Sequence, residues 1–326
     1  MIIENSKTYN FTDVDNIFFR PTFCGKGAEE LGIRVIYNMP VPTKVPVFTH
    51  ANNILATFSS GWQGGTSSAM SQKEIQMIKL KAESSYTAED YFSTIYEMII
   101  SSSDVALGDL TGTELEKAET KLFCQALVKS VYATTWFGDP AGNISNHMSF
   151  DGFLARFIQA ANNGEIDVPL TIYDDGGNSS IEDIFRDAWT SANDNLRALA
   201  SDGELAFFVS SDIYDAYQFY LDDRGCLDNQ NNLTKARPTL TYHGIPLVEI
   251  PANGCDLCQP YSFCVLTDRR NLVLALNTAD SPEKEIHMWY NPDEMENRQR
   301  AVFLAGTTIV DEELLSGAIY EGGVAL

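Results

Sequence analysis

The sequence lacks most features that mark membrane and secreted proteins. No apolar run approaches the roughly 18 residues of a membrane span, and no basic segment followed by an apolar one opens the chain, so we expect neither membrane anchor nor secretory signal. Six cysteines among 326 residues are too few for a disulfide framework, so reduced thiols are expected. Positive charge is also scarce: 22 Lys and Arg stand against 45 Asp and Glu, a net charge of −23. We therefore expect no wrapping of nucleic acid and no binding to anionic membranes, because both need a basic surface.

Catalytic and nucleotide-binding motifs are missing as well. The chain contains no GxGxxG, no GxxxxGK[ST], no HExxH and no GxSxG. Carboxylates are so abundant that a pair of them carries no information about acid–base catalysis. The four histidines, His50, His147, His243 and His287, are widely separated. We therefore predict no catalytic residues and no cofactor.

One group of cysteines has the spacing of a possible metal site. Cys255 and Cys258 form a CxxC pair, Cys264 follows six residues later, and Cys226 lies upstream. A CxxC supplies two of the four ligands that structural zinc needs, and His243 is a candidate to complete the set. No second CxxC is present, so three alternatives stay open: ordinary thiols in a loop, a structural zinc, and a redox pair.

Charge is distributed unevenly along the chain. Residues 1–81 contain 8 basic and 6 acidic residues, whereas residues 82–326 contain 14 basic and 39 acidic ones. Between Lys44 and Lys73 there is no charged residue, and in this polar stretch Phe58 and Trp62 have little apolar company. The stretch is either a flexible polar loop or a segment that another chain covers.

The flanks of this uncharged stretch have the pattern of strands. Residues 33–41 are rich in β-branched side chains and include a proline. Residues 73–83 end in a strict alternation of apolar and charged side chains. Two such arms around a polar tip predict a long projecting hairpin. A hairpin alone is marginally stable in water, so this one would need another surface.

The rest of the chain alternates helical and extended patterns. Residues 113–137 contain neither glycine nor proline and stop before Gly138, which predicts a helix about 36 Å long. Amphipathic patterns predict further helices over 150–161 and 181–199, and a helix capped by Ser210 or Ser211. A helical start is also predicted at Thr87. Strands are predicted over 205–209, 240–250 (broken at 244–246), 265–276, 285–290 and 300–310.

Four segments carry a family resemblance through their order. They read LAFFV at 205–209, YHGIPLVE at 242–249, VLTDRRNLVL at 265–274 and RAVFLAGTT at 300–308. This order resembles the major capsid proteins of tailed bacteriophages, whose shell fold is shared with encapsulins and the herpesvirus capsid floor. The CxxC at 255–258 departs from the family pattern.

The resemblance implies an α+β shell fold. Its parts would be an N-terminal arm (1–32), an extended β-hairpin loop (33–83), a peripheral domain (84–148) with a spine helix over about 113–137, a mainly axial domain (149–264), and C-terminal strands (265–326) returning to the peripheral domain.

The resemblance also implies a function in assembly. The chain would form hexamers and pentamers of an icosahedral virion shell that encloses double-stranded DNA, assembled in the host cytoplasm, with portal and possibly scaffold or decoration proteins as partners. Candidate inter-subunit contacts are Phe58, Trp62, Lys73, Lys79 and Lys81. The alternatives are an encapsulin-type compartment and, from another class, a cytosolic enzyme with dispersed acidic residues and a structural zinc.

Overall fold

The computed structural model describes residues 7–8, 31–39, 43–49, 60, 69–87, 109, 114–142, 147–162, 169–173, 180–224, 240–251, 261–278 and 286–321. Within these ranges the chain forms both helices and sheets, which confirms the α+β class. The helices are α1 (Glu114–Phe137), α2 (Phe153–Asn162), α3 (Ile181–Ser191), α4 (Asp194–Ala198) and α5 (Ser211–Asp223). The strands are β1 (Lys7–Thr8), β2 (Arg34–Ile36), β3 (Thr43–Thr49), β4 (Ala69–Ile75), β5 (Ile78–Thr87), β6 (Leu170–Tyr173), β7 (Leu205–Ser210), β8 (Thr241–Tyr242), β9 (Ile245–Ile250), β10 (Ser262–Asp268), β11 (Leu272–Leu276), β12 (Ile286–Asn291), β13 (Glu296–Ile309) and β14 (Leu315–Tyr320).

A six-stranded sheet, here called the central sheet, has the order β6-β14-β10-β7-β9-β8. Every residue of β7, β10 and β14 is buried, and β7 is apolar in all but its last residue, as expected for a strand covered on both faces. One face packs against α2 and the end of α1, with Trp136, Phe153 and Phe208 in the core. The other face packs against α3 and α5 through Phe185 and Tyr217, among others.

A second six-stranded sheet, here called the outer sheet, is organised by β13. This 14-residue strand pairs with β12 through 296–301, with β11 through 305–309 and with β5 through 296–305. Strand β1 extends the sheet beside β12, and β2 lies parallel to β11. Cys124 and Leu127 of α1 pack against this sheet, so the long helix contributes to the cores of both sheets.

The chain passes from the central sheet to the outer sheet at a 3-10 turn, Arg269–Asn271, between β10 and β11. It returns between β13 and β14 at a second 3-10 turn, Glu312–Leu314. The buried Asn271 side chain donates to the Asp311 carbonyl and accepts from the Asp311 backbone N–H, both at 2.8 Å. Its amide also donates to the Thr267 hydroxyl at 3.2 Å, which itself donates to the Leu314 carbonyl. The VLTDRRNLVL segment therefore forms one crossing between the sheets, and Asn271 ties it to the crossing between β13 and β14.

This crossing corrects the prediction of one strand over 265–276. Apolar residues at both ends of this segment suggest a single strand. The polar residues between them form a turn, in which the Asp268 side chain accepts from the Arg270 backbone N–H at 2.8 Å. The prediction for 240–250 also needs correction. That strand breaks at His243 and Gly244, which have left-handed φ values of 51° and 80°, and Pro246 lies inside β9.

The helix predicted over 181–199 is wrong in its length. It ends at Ser191, because Ala192 is extended at ψ 138°, and the Asn193 side chain then caps α4 by accepting from the Asn195 N–H. Ala192 and Leu196 are both buried, so the apolar periodicity continues across the break. The helix over 113–137 is confirmed as α1, the one over 150–161 begins later as α2, and the helix predicted after Ser210 is confirmed as α5. Its predicted serine cap is wrong, because the Ser210 side chain makes no capping hydrogen bond and instead accepts from the Phe263 backbone N–H at 3.2 Å.

The arms predicted at 33–41 and 73–83 do not pair with each other. Residues 34–36 pair with β11, and the segment 73–83 is divided at Gln76 and Met77 between two different sheets. The paired hairpin strands are β3 and β4, here called the ribbon. Thr87, predicted to begin a helix, instead ends β5.

Candidate assembly surfaces

Among the ribbon residues whose exposure is described, the buried ones lie where the ribbon leaves the outer sheet. Its register runs from Thr43 opposite Ile75 to Thr49 opposite Ala69. At the base, Val45 and Ile75 are buried against Val273 and Ala275 of β11. Toward the other end Met70 is 55% exposed. Because an isolated two-stranded ribbon is marginally stable, the outer part of the ribbon offers contact area to another surface.

Gly306 of β13 allows the ribbon to approach the outer sheet closely. A Cβ atom at this position would lie 2.3 Å from the Gln76 carbonyl oxygen and 3.4 Å from the Met77 Cα. Gln76 and Met77 are the only residues between β4 and β5, so they form the joint through which the ribbon leaves the sheet. A side chain at 306 would push this joint away, and glycine therefore helps to set the direction of the ribbon.

An ion pair holds the same joint from the side. Lys73 Nζ of β4 lies 2.7 Å from Glu312 Oε1, with the two side chains 40% and 17% exposed. Both residues line a cleft of about 490 Å³ that also includes Arg156 and Gln159 of α2 and Thr308 of β13. Lys73, predicted from sequence as an inter-subunit contact, thus has a partner within its own chain.

Lys79 and Lys81 lie exposed on β5, at the outer sheet. Lys81 Nζ is 2.7 Å from Glu83 Oε2, and Arg300 Nε is 3.5 Å from the other Glu83 oxygen. The hydrogen bond from Lys81 lowers the pKa of Glu83. The exposed pair between Lys81 and Glu83 contributes little to stability. Lys79 and Lys81 are both exposed, so they are accessible for contacts with another molecule.

Two of the predicted contact residues cannot be placed. Phe58 and Trp62 lie outside the described residues. Their role in covering another chain stays a prediction.

The predicted zinc cluster is also only partly placed. Cys264 is fully buried in β10, and burial raises the pKa of its thiol, which disfavours the thiolate that zinc requires. His243 stands in the β8–β9 turn with its ring packed on Tyr242 and Trp189. Cys226, Cys255 and Cys258 lie outside the described residues. Within the described part of the chain, no group of three His, Cys, Asp or Glu side chains is placed to hold a metal.

Sequence reasoning missed Gly306 and Glu312, which position the base of the ribbon by admitting the Gln76 carbonyl and by pairing with Lys73. Glu312 is one acid among 45, and nothing near it in the sequence marks Lys73 as its partner, 239 positions away. Gly306 stands inside a segment with strand propensity, RAVFLAGTT. A glycine within a strand indicates a close backbone approach, which was an available signal.

Comparison with solved structures identifies the fold. The capsid of the native GTA particle matches with a TM-score of 0.57 and 12% identity, over 95% of this chain and 94% of that chain. Gordonia phage Cozz matches with a TM-score of 0.54 and 10% identity, over 95% and 90%. The procapsid of satellite phage P4 with its size determination protein matches at 0.53 and 11%, over 90% and 88%. No family model and no curated relative matches the sequence.

These matches span almost the whole chain, so the protein has the shell fold of phage capsids, as the order of its sequence segments predicted. At 10–12% identity the likeness is one of fold. The boundaries predicted for the arm, loop and domains stay predictions. Among the described helices, none is long and apolar enough to cross a membrane.

Proposed function

We propose that this chain is the major structural subunit of an icosahedral phage shell, assembling with copies of itself into hexamers and pentamers. The observation that carries this proposal is the capsid fold, matched over 95% of the chain. The neighbours are shell proteins, a non-enzymatic class, and they favour a phage shell over an encapsulin-type compartment or a cytosolic enzyme.

The ribbon and β5 would supply contacts between neighbouring copies. The outer part of the ribbon extends beyond its buried base, and Lys79 and Lys81 are accessible beside it. The remainder of the chain, from residue 82 onward, is strongly acidic. Opposite charge would guide these surfaces together, and the uncharged segment with Phe58 and Trp62 would lie on the next copy.

The acidic character of the chain also fits a container for DNA. The shell would enclose double-stranded DNA in the virion without binding it in a sequence-specific way, because the chain cannot neutralise many phosphates. Assembly in the host cytoplasm, a portal, and scaffold or decoration proteins belong to the same proposal.

Negative-stain electron microscopy of the purified protein, with light scattering beside it, tests the proposal. We expect closed shells, or rings of five and six copies. Co-expression with the neighbouring structural genes of the same genome is the second arm, because a shell subunit can require its partners. A uniform monomer or dimer in both arms would contradict the proposal, and protein cargo in place of DNA would favour the compartment.

A further inference from the structure

Strand β5 lies at an edge of the outer sheet. It pairs with residues 296–305 of β13, on the side of β13 opposite to the one that β12 occupies at 296–301. Within the described residues, β13 is the only strand that pairs with β5, so the other side of this 10-residue strand is here called the open edge. An open edge of this length is a template for the addition of another strand.

The side chains of β5 on the core side of the sheet are incompletely covered. Ile78 is 40% exposed, and Leu80 and Ala82 are half-buried. Their cross-strand partners on β13 are all buried, with at most 5% exposure: Ala305, Phe303 and Ala301. The core of the outer sheet therefore ends at β5, and a strand added at the open edge would bury apolar surface there.

The other side of β5 is positively charged. Lys79 and Lys81 are exposed, and Glu83 is shared between Lys81 and Arg300. Three cations against one anion leave this strip with a net charge of +2, in a chain whose net charge is −23. Two copies of the strip would repel each other, whereas an acidic strand would be attracted to it.

Two segments outside the described residues have the matching pattern, in which two carboxylates flank one apolar residue. They are residues 13–15 (DVD) and 165–167 (EID). The second segment lies in the short connection between α2 and β6, which is tied to the subunit at both ends. The first lies within residues 9–30, a stretch long enough to extend to a neighbouring copy.

We propose that residues 11–17 of a second copy add to the open edge of β5 as a strand, with the carboxylates of Asp13 and Asp15 facing its two lysines. Val14 then lies opposite Leu80 and extends the partly covered core. Backbone hydrogen bonds supply affinity, and the alternating charged and apolar side chains set the register. This inference rests on the proposed assembly function.

The same chain cannot supply this strand. Thr8 of β1 pairs with β12, on the far side of the outer sheet. A strand beyond β5 lies four strand spacings from β1, which is about 19 Å. The five residues from Thr8 to Asp13 span at most about 18 Å when fully extended, without any detour around the sheet. Asp13 therefore falls short of its own open edge, and a second copy has to provide the strand.

Charge reversal tests the contact. We expect Lys79→Asp with Lys81→Asp to leave the unfolding temperature of the unassembled subunit within about 2 °C, because both side chains are exposed. The protein concentration needed for assembly should rise about tenfold. Asp13→Lys with Asp15→Lys should have the same effect. All four changes together should bring assembly back to within about threefold of the unmodified protein.

Glu165→Lys with Asp167→Lys is the matched control, because it reverses the same pattern of charges in the other segment. Combined with the reversed lysines, it should not restore assembly, and restoration would overturn the choice of residues 11–17. Assembly of the lysine variant at unchanged concentration would overturn the inference while particles of the unmodified protein still supported the proposed function. Failure of the unmodified protein to assemble in any arm would contradict the proposed function itself.

A cross-linking experiment tests which chain supplies the strand. Residues directly opposite each other on paired strands have Cα atoms about 4.5–5.5 Å apart, within the range that a disulfide bridges. In particles of Val14→Cys with Leu80→Cys treated with a mild thiol oxidant, we expect disulfide-linked dimers and longer multimers that neither single variant forms. A disulfide within one chain, or no disulfide between these positions, would overturn the inference.

Discussion

The central sheet and the ribbon represent two opposite ways of stabilising β-strands. Strands β7, β10 and β14 are buried along their whole length, between helices on both faces. The ribbon has two strands, and Val45 and Ile75 are its buried residues among those whose exposure is described. The central sheet therefore has its own hydrophobic core, whereas the ribbon depends on a small apolar contact with β11 of the outer sheet. The comparison indicates that the central sheet stabilises the subunit, whereas the ribbon adds little to its core and, under the proposed function, is available for contacts between copies.

The largest expected effect comes from emptying the core beside the central sheet. The Trp136 ring lies 5.2 Å from that of Phe153 and 5.5 Å from that of Phe208, and the residue is 1% exposed. We expect Trp136→Ala to lower the free energy of unfolding by about 3–5 kcal/mol, a large part of a domain's stability. Chemical denaturation of the subunit measures this. Met70→Ala, on the ribbon, is the control and should cost less than about 0.5 kcal/mol. Equal losses in both variants would contradict the division of roles.

Elements in both sheets were predictable from sequence where their determinants are local. The apolar run at 205–209 matches β7 of the central sheet, and the run at 300–310 matches most of β13 of the outer sheet. The uninterrupted pattern over 113–137 matches α1. The ribbon was misplaced because β4 ends by changing partners, without glycine or proline at Gln76 or Met77. The position of the ribbon depends on contacts with Gly306 and Glu312, which lie more than 200 residues away in the sequence. Such long-range contacts leave no pattern among residues that are adjacent in the sequence.

Replacing the segment that connects the two ribbon strands should separate folding from assembly. Residues 50–68 lie between the paired residues Thr49 and Ala69, and an Asn-Gly turn can replace them. We expect the free energy of unfolding to change by less than about 0.5 kcal/mol, because the contacts of Val45 and Ile75 with β11 remain. Particles should no longer form. Electron microscopy and denaturation measure the two effects. Normal particles from this variant would show that the segment with Phe58 and Trp62 covers no neighbouring copy.

Adding one carbon atom beneath Gln76 and Met77 should affect assembly less than the replacement of residues 50–68, although it should cost more stability locally. In Gly306→Ala the new Cβ would collide with the Gln76 carbonyl, so we expect a loss of about 1–3 kcal/mol and faster hydrogen exchange through residues 69–80. Particles should form in lower yield or with altered size, because the ribbon leaves the subunit in a different direction.

Gly203→Ala is the matched control for this variant. It adds the same methyl group at a glycine with φ 77° and no neighbouring atom within 4 Å, at a cost of about 1 kcal/mol. If both variants gave the same particles and the same exchange pattern, the close approach at Gly306 would not determine the ribbon's direction.

The smallest expected effect concerns the ion pair that braces the joint. Lys73→Glu and Glu312→Lys should each reduce stability by about 1 kcal/mol or less, because both side chains are partly exposed. The double reversal should restore most of the loss, and a double-mutant cycle measures the coupling energy. In about 1 M salt, where the screening length falls to about 3 Å, the coupling should largely disappear. A different outcome would be that Lys73→Glu abolishes particles and the double reversal fails to restore them. Lys73 would then contact a neighbouring copy, as predicted from sequence. The ribbon would in that case be held chiefly by the packing of Val45 and Ile75 on β11.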